Sequence, residues 1–137
     1  MARTDDKGAI AFFDYYWAAY GYAYRTLDPA RLYAMSDPGC KFCAGVAKDI
    51  KYLRDRNRSV QGGAVHVDWA TTPKGDGHDG AWISAAISQE LLLTFTPSGE
   101  EASRDAPLSG QRVDAIVGLR ERGWVMVGLS VIKSGKS

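Results

Sequence analysis

The hydrophobic pattern of this chain changes period once, and that change does most to limit what it can fold into. Up to about residue 57 apolar positions recur at helical spacing, and beyond about residue 63 they alternate. The first run, "GAIAFFDYYWAAYGYAYRTLD", meets no proline before Pro29. At about 100° per residue, Phe12, Phe13, Tyr16, Trp17, Tyr20 and Tyr24 fall within an arc of about 140°, a wide face for burial. Tyr15 and Tyr22 lie on a flank away from it. Asp28 followed by Pro29 opens a short second helix over "ARLYAM". Asp37–Pro38 repeats the signal before a third helix, roughly 39 to 57, with Phe42, Val46, Ile50 and Leu53 as its apolar stripe. Gly62–Gly63 punctuates its end.

In "AVHVDWATT", Val65, Val67 and Trp69 alternate with His66 and Asp68. "AWISAAISQELLLTFTP" reads as one long strand with Ile83, Ala85, Ile87, Gln89, Leu91, Leu93 and Phe95 on one face. "SGEEASRDAPLSG" reads as a polar loop, and "QRVDAIVGLRERGWVMVGLSVIK" as a hairpin turning near Glu121 to Gly123 with Val113, Ala115, Val117 and Leu119 on one face. Three helices followed by four antiparallel strands is an α+β layout. It reads as a single domain over residues 8–133, with disordered ends at 1–7 and 134–137. Trp82 and Leu92 fall on the side opposite Ile83, and Trp124 and Met126 on the side opposite Val125 and Val127. A sheet face open to water should be polar, so these four form a candidate partner interface, covered by a second copy in a homodimer. Strand bulges would redistribute them.

At 137 residues the chain is long enough to bury a proper core. Its formal net charge of +1 recruits neither nucleic acid nor an anionic membrane surface. No apolar run approaches the roughly 20 residues that span a bilayer. The polar opening "MARTDDKGAI" is not a signal peptide, which leaves a cytosolic protein or one whose leader lies upstream.

Three segments together carry a family resemblance: the aromatic helix, "L-x-x-M-S-D-P-G-C-K-F-C" after it, and "VQGGAVHV" at 60–67. They resemble an actinobacterial lipoprotein family, domain of unknown function 6318, over roughly residues 8 to 132, with the C-x-x-C as the most specific mark. The resemblance implies an extracytoplasmic domain that touches the membrane only through an upstream lipid anchor. The layout is also similar to the NTF2-like (cystatin-like) cone, in which a curved sheet wraps a long first helix. It implies three helices packed on a curved four-stranded antiparallel sheet. Between "YAM" and "CKFC" there is little room for the short strand pair that many such folds place there. The resemblance supplies no activity and no catalytic residue.

Cys40 and Cys43 admit three chemistries. A redox C-x-x-C sits at a strand-to-helix junction, where the helix dipole lowers one thiol's pKa, but here a helix and a turn precede it. Zinc needs four ligands, and only His66 and His78 remain, on separate elements. A structural disulfide in an oxidising compartment is the favoured reading. It would contribute roughly 2 kcal/mol from so short a loop. No metal, cofactor or catalytic residue is expected.

Tyr16, Trp17, Tyr20, Tyr24 and Gln89 are the candidate ligand-pocket residues, although aromatic rings at helical spacing more often simply fill a core. His66 and Asp68 share a side as a base and its orienter would, but on the solvent or partner face. Glu90 shares a face with Trp82 and Leu92 and reads as an interface salt bridge, and His78 sits in a polar turn. Lys48, Lys51, Arg54, Arg56 and Arg58 read as a solvated helix face. The expected function is therefore a non-catalytic extracytoplasmic domain binding a small apolar ligand or a protein partner. The alternatives are a pocket enzyme of isomerase or dehydratase type and a thiol oxidoreductase.

Overall fold

The computed structural model describes residues 6–72, 80–121 and 123–132. His78 and the tail at 134–137 lie outside these residues, as do the first five of the expected disordered start. Asp6 and Lys7 already belong to the first helix.

Helix α1 (Asp6–Thr26) carries the aromatic face inward. It ends where Leu27 adopts a φ of 57° and the Asp28 amide reaches back to the Ala23 carbonyl. That left-handed residue costs about 1 kcal/mol. Its carbonyl accepts two hydrogen bonds from the Arg54 guanidinium, at 2.7 and 3.2 Å. Helix α2 (Ala30–Ala34) follows, with the Asp28 carboxylate accepting from the Ala30 amide at 3.0 Å. Helix α3 (Lys41–Asp55) begins two residues later than the sequence suggests, because Cys40 is its cap and the Cys40 sulfur accepts from the Cys43 amide. Cys43, Val46, Ile50 and Leu53 are its buried stripe, while Phe42 is half-buried against Trp17 and Tyr20.

Seven strands follow: β1 (Ser59–Gly62), β2 (Val65–Thr71), β3 (Gly80–Gln89), β4 (Leu92–Phe95), β5 (Glu101–Asp105), β6 (Leu108–Arg120) and β7 (Gly123–Val131). The expected four-stranded antiparallel sheet is present in the order β2-β3-β6-β7, joined by a three-stranded sheet in the order β1-β4-β5. The two are successive legs of one bent ribbon. β1 pairs with β4 and β2 with β3, so the chain bends at Gly62–Gly63 on one side and at Glu90–Leu91 on the other. The Gly63 amide donates to the Leu91 carbonyl and the Glu90 amide to the Ala64 carbonyl, holding the bend shut. β5 and β6 break at the same level, around Ala106–Pro107.

Four expectations change here. Gly62–Gly63 does not end α3, which stops at Asp55, because the strand β1 follows it and runs up to Gly62. The single long strand is two strands, and the bend reverses its phase, so Leu92 and Thr94 turn inward in place of Leu91, Leu93 and Phe95. The polar loop contains β5, which no pattern revealed because all five of its residues are exposed. The partner surface is also different. A bulge between Ile116 and Val117 sets Met126 opposite Val117 and Trp124 opposite Leu119, which puts Trp124 and Met126 in the core. With Leu92 also buried, only Trp82 of the four expected residues is exposed. A second bulge, between Val67 and Trp69, turns Trp69 outward away from Val67. The outer sheet face therefore shows Trp69, Trp82 and Ile116, with the Arg112 guanidinium 5.1 Å from the Trp69 ring centre.

The core lies between α1 and α3 on one side and the inner sheet face on the other. Phe13, Tyr16, Ile50, Ile83, Val113, Val117 and Met126 fill it, each essentially without exposure. Residues Met35 to Asp37 run beside β7: the Met126 amide donates to the Met35 carbonyl and the Asp37 amide to the Met126 carbonyl. The loop ahead of the cysteines is thereby stitched to the sheet edge.

Candidate functional site

The bend in the sheet leaves a cleft of about 400 Å³ between the small sheet and the helices. In the ladder Val60 lies opposite Thr94 and Thr94 opposite Ser103, while Gly62 lies opposite Leu92 and Leu92 opposite Asp105. Residues two apart share a face of a strand. Arg58, just ahead of β1, therefore shares the floor with Leu92, Thr94, Ser103 and Asp105. The wall is made by Tyr20 and Tyr24 of α1 and by Asp49, Tyr52 and Leu53 of α3. Gln89 stands at the bend, where its side-chain amide donates to the Gly63 carbonyl at 3.2 Å.

Tyr20 and Tyr24 are one helical turn apart, with ring centres separated by 5.0 Å. The Tyr24 hydroxyl donates to the Asp49 carboxylate at 2.8 Å, and the Thr94 and Ser103 hydroxyls bond to each other. Burial pushes the phenol pKa of both Tyr20 and Tyr24 up, and Asp49 nearby pushes each further in the same direction. Asp105 adds to the effect at Tyr20. In the core, burial likewise raises the Tyr16 phenol, whose hydroxyl lies 3.3 Å from the Cys43 sulfur.

These phenols tie stability to alkaline pH. A group held neutral by the fold binds its proton more tightly in the native state, so its contribution is complete below the ordinary tyrosine pKa of 10.0 and is lost as pH rises above it. Once pH exceeds 10, the fully buried Tyr16 and the nearly buried Tyr24 should each remove about 1.4 kcal/mol of stability per pH unit. Urea unfolding at stepped pH should show this slope, and the Tyr16→Phe, Tyr24→Phe double variant should lose most of it. A midpoint that stays level from pH 9 to 11 would contradict the burial of these hydroxyls.

Of the five expected pocket residues, Tyr20, Tyr24 and Gln89 line the cleft. Tyr16 and Trp17 do not: they are 0% and 3% exposed, sealed among Phe12, Phe13 and Phe42. Asp49, Tyr52, Arg58, Thr94, Ser103 and Asp105 were not singled out for a pocket. Asp105 lay in a stretch read as loop, and Arg58 and Asp49 lay in a mixed-charge helix end whose sequence does not say which charge faces inward.

The other candidates lie elsewhere. Cys40 and Cys43 are joined as a disulfide, with Cα atoms 5.3 Å apart, at 1% and 3% exposure. His66 pairs with Glu90 at 2.9 Å rather than with Asp68, which accepts from the Ser88 hydroxyl. Both members of the His66–Glu90 pair are well exposed. Glu90 thus has a hydrogen-bond partner within the chain. Of the basic run, Lys48 is exposed, Lys51 pairs with Asp55, Arg56 lies over the Tyr52 ring, Arg54 caps α1 and Arg58 faces the cleft. Among the described residues no His, Cys, Asp or Glu cluster is placed to hold a metal ion, and no helix is long and apolar enough to cross a membrane.

One family profile matches residues 1–130 of the sequence. The chain belongs to DUF6318, a family of unknown function. No curated protein matches this family member by sequence. Solved structures do match it in fold. The intermembrane space region of the chloroplast protein ARC6 superposes with a TM-score of 0.69 at 10% identity, over 96% of this chain and 99% of that one. A Novosphingobium aromaticivorans protein described as an aromatic ring hydroxylase gives 0.60 at 14% identity, over 91% and 87%. A Xanthomonas campestris protein described as a calcium/calmodulin dependent protein kinase II association domain gives 0.56 at 11% identity, over the whole of both chains. At identities this low the superpositions show a shared fold and nothing about activity.

Proposed function

We propose that this DUF6318 member is a non-catalytic extracytoplasmic domain, of lipoprotein type, that binds a small amphipathic ligand in the cleft between α1, α3 and the small sheet. The observation that carries this reading is the lining itself. Tyrosine rings and leucines supply apolar contact, while Asp49, Arg58, Gln89, Thr94, Ser103 and Asp105 supply polar groups converging on one open space. Such a lining suits a ligand with polar groups better than the purely apolar one expected from the aromatic helix. The apolar side chains that would hold the latter are already packed against one another.

The cysteines support the cell-surface part of the reading. A disulfide persists in an oxidising compartment, and the burial of both sulfurs leaves them poorly placed for exchange with an external thiol. That favours a bridge joining the stitched loop to α3 over a redox centre.

Nuclear magnetic resonance of the nitrogen-15-labelled domain against a library of sugars, amino acids, polyols and small carboxylates tests the binding reading. Amide shifts should move at Tyr20, Tyr24, Asp49, Arg58 and Gln89, and Tyr24→Phe should weaken the response of the ligand found. A library that leaves all of these amides in place would sink it.

A further inference from the structure

Arg58 and Asp105 carry opposite charges, line the same cleft and do not pair. Among the described residues neither side chain has an ion-pair or hydrogen-bond partner, although Lys51 pairs with Asp55, Arg104 with Glu101 and Arg120 with Asp37, and Glu90 bonds to His66. Their placement explains the separation. Asp105 sits in the row of Gly62 and Leu92 at one end of the floor, whereas Arg58 precedes β1 at the other end. Four residues at about 3.3 Å each put roughly 13 Å between those rows, and two strand spacings of about 4.8 Å separate the strands. Asp49 stands on the helical wall, and both it and Asp105 are close enough to act electrostatically on the Tyr20 hydroxyl. The cleft thus has an acidic side, where Asp49 and Asp105 approach Tyr20 and Tyr24, and a basic end at Arg58.

Resting on the binding reading above, we propose that the ligand is a small zwitterion, a free amino acid or a dipeptide. Its ammonium would lie against Asp49, Asp105 and the tyrosine rings, and its carboxylate against Arg58. An ammonium gains from two carboxylates and from the faces of aromatic rings. A guanidinium presents a planar fork that matches a carboxylate. Leu53, Leu92 and Tyr52 give the ligand's side chain apolar contact. A neutral ligand would leave Arg58 without a countercharge, and a simple anion would meet two carboxylates. Only a ligand charged at both ends answers the whole lining.

Isothermal titration of the intact domain with the common L-amino acids and glycyl dipeptides, each also in N-acetylated and C-amidated form, tests the inference. At least one unblocked compound should bind. Blocking either terminus should weaken it about tenfold or more, the scale of one charged hydrogen bond. Arg58→Gln and Asp105→Asn should each cause a similar loss; the first should become insensitive to blocking of the carboxylate, and the second, which keeps Asp49, less sensitive than the parent to blocking of the amine. Neither side chain bonds to the fold, so both variants should melt with the parent. Equal binding of blocked and unblocked forms, or capture of a sugar or polyol while every zwitterion fails, overturns the zwitterion and leaves the cleft as a binding site. Silence from every amino acid, dipeptide, sugar and polyol overturns both.

Discussion

Replacing Phe13 by Ala should destabilise the domain by about 4 kcal/mol, the range for truncating a large buried ring. Phe13 is 0% exposed and meets the Trp17 ring edge-on at a centre distance of 6.1 Å. It lies deep in the helix-to-sheet contact, where close packing allows little collapse around a lost ring. With an unfolding entropy of about 2.1 cal/mol/K per residue over 137 residues, the melting temperature should fall by roughly 14 °C. Tyr15→Ala, two residues away at an exposed position, is the control. It should move stability by about 0.5 kcal/mol at most. Calorimetry of both variants checks the pair. Equal shifts would mean that α1 does not present the face described here.

Gly62→Ala should cost about 3 kcal/mol or more, through the backbone rather than the core. Gly62 has a φ of +76°, where a Cβ alone costs roughly 1–2 kcal/mol. An added Cβ would also stand 2.2 Å from the Leu91 carbonyl oxygen. That carbonyl accepts the Gly63 amide across the bend, so relief of the clash breaks a bond whose loss costs a further 1–3 kcal/mol or so. Gly99 provides the comparison. Its φ is +93° but its Cβ position is open, so Gly99→Ala should show the conformational cost alone. Denaturant unfolding of both variants isolates the clash as their difference. A Gly62→Ala domain as stable as Gly99→Ala would show that the ribbon can bend elsewhere.

Much of this architecture is legible in the sequence. The buried set Phe12, Phe13, Tyr16, Trp17 and Tyr24 of α1 follows from spacing, since the helical period is rigid enough to project from residue to residue. The inward sets Ile83, Ala85, Ile87 and Val113, Ala115, Val117 follow for the same reason within straight stretches of strand. The period of two fails at interruptions. One extra residue, Val127 opposite the Ile116–Val117 pair or Asp68 between Val67 and Trp69, exchanges the faces beyond it. That is why Trp124 and Met126 were expected outside and Trp69 inside. β5 leaves no periodic signal because its five exposed residues, four of them polar, are held on an edge strand by backbone bonds to β4, and side-chain pattern carries no record of those.

By itself the sequence determined the α+β class, the aromatic first helix and the proximity of Cys40 and Cys43. Each depends on neighbours along the chain or on one repeating period. The tertiary structure decided which aromatic rings are core and which are cleft. Tyr16 and Tyr20 lie on the same face of α1, yet the bent sheet covers the first and opens beside the second. It also decided that Arg58 and Asp105, 47 positions apart in the numbering (105 − 58), share one floor without meeting. Local pattern reports that a residue is apolar or charged. What faces it depends on where a second strand bends, and that is settled only when Gly62–Gly63 and Glu90–Leu91 close against each other.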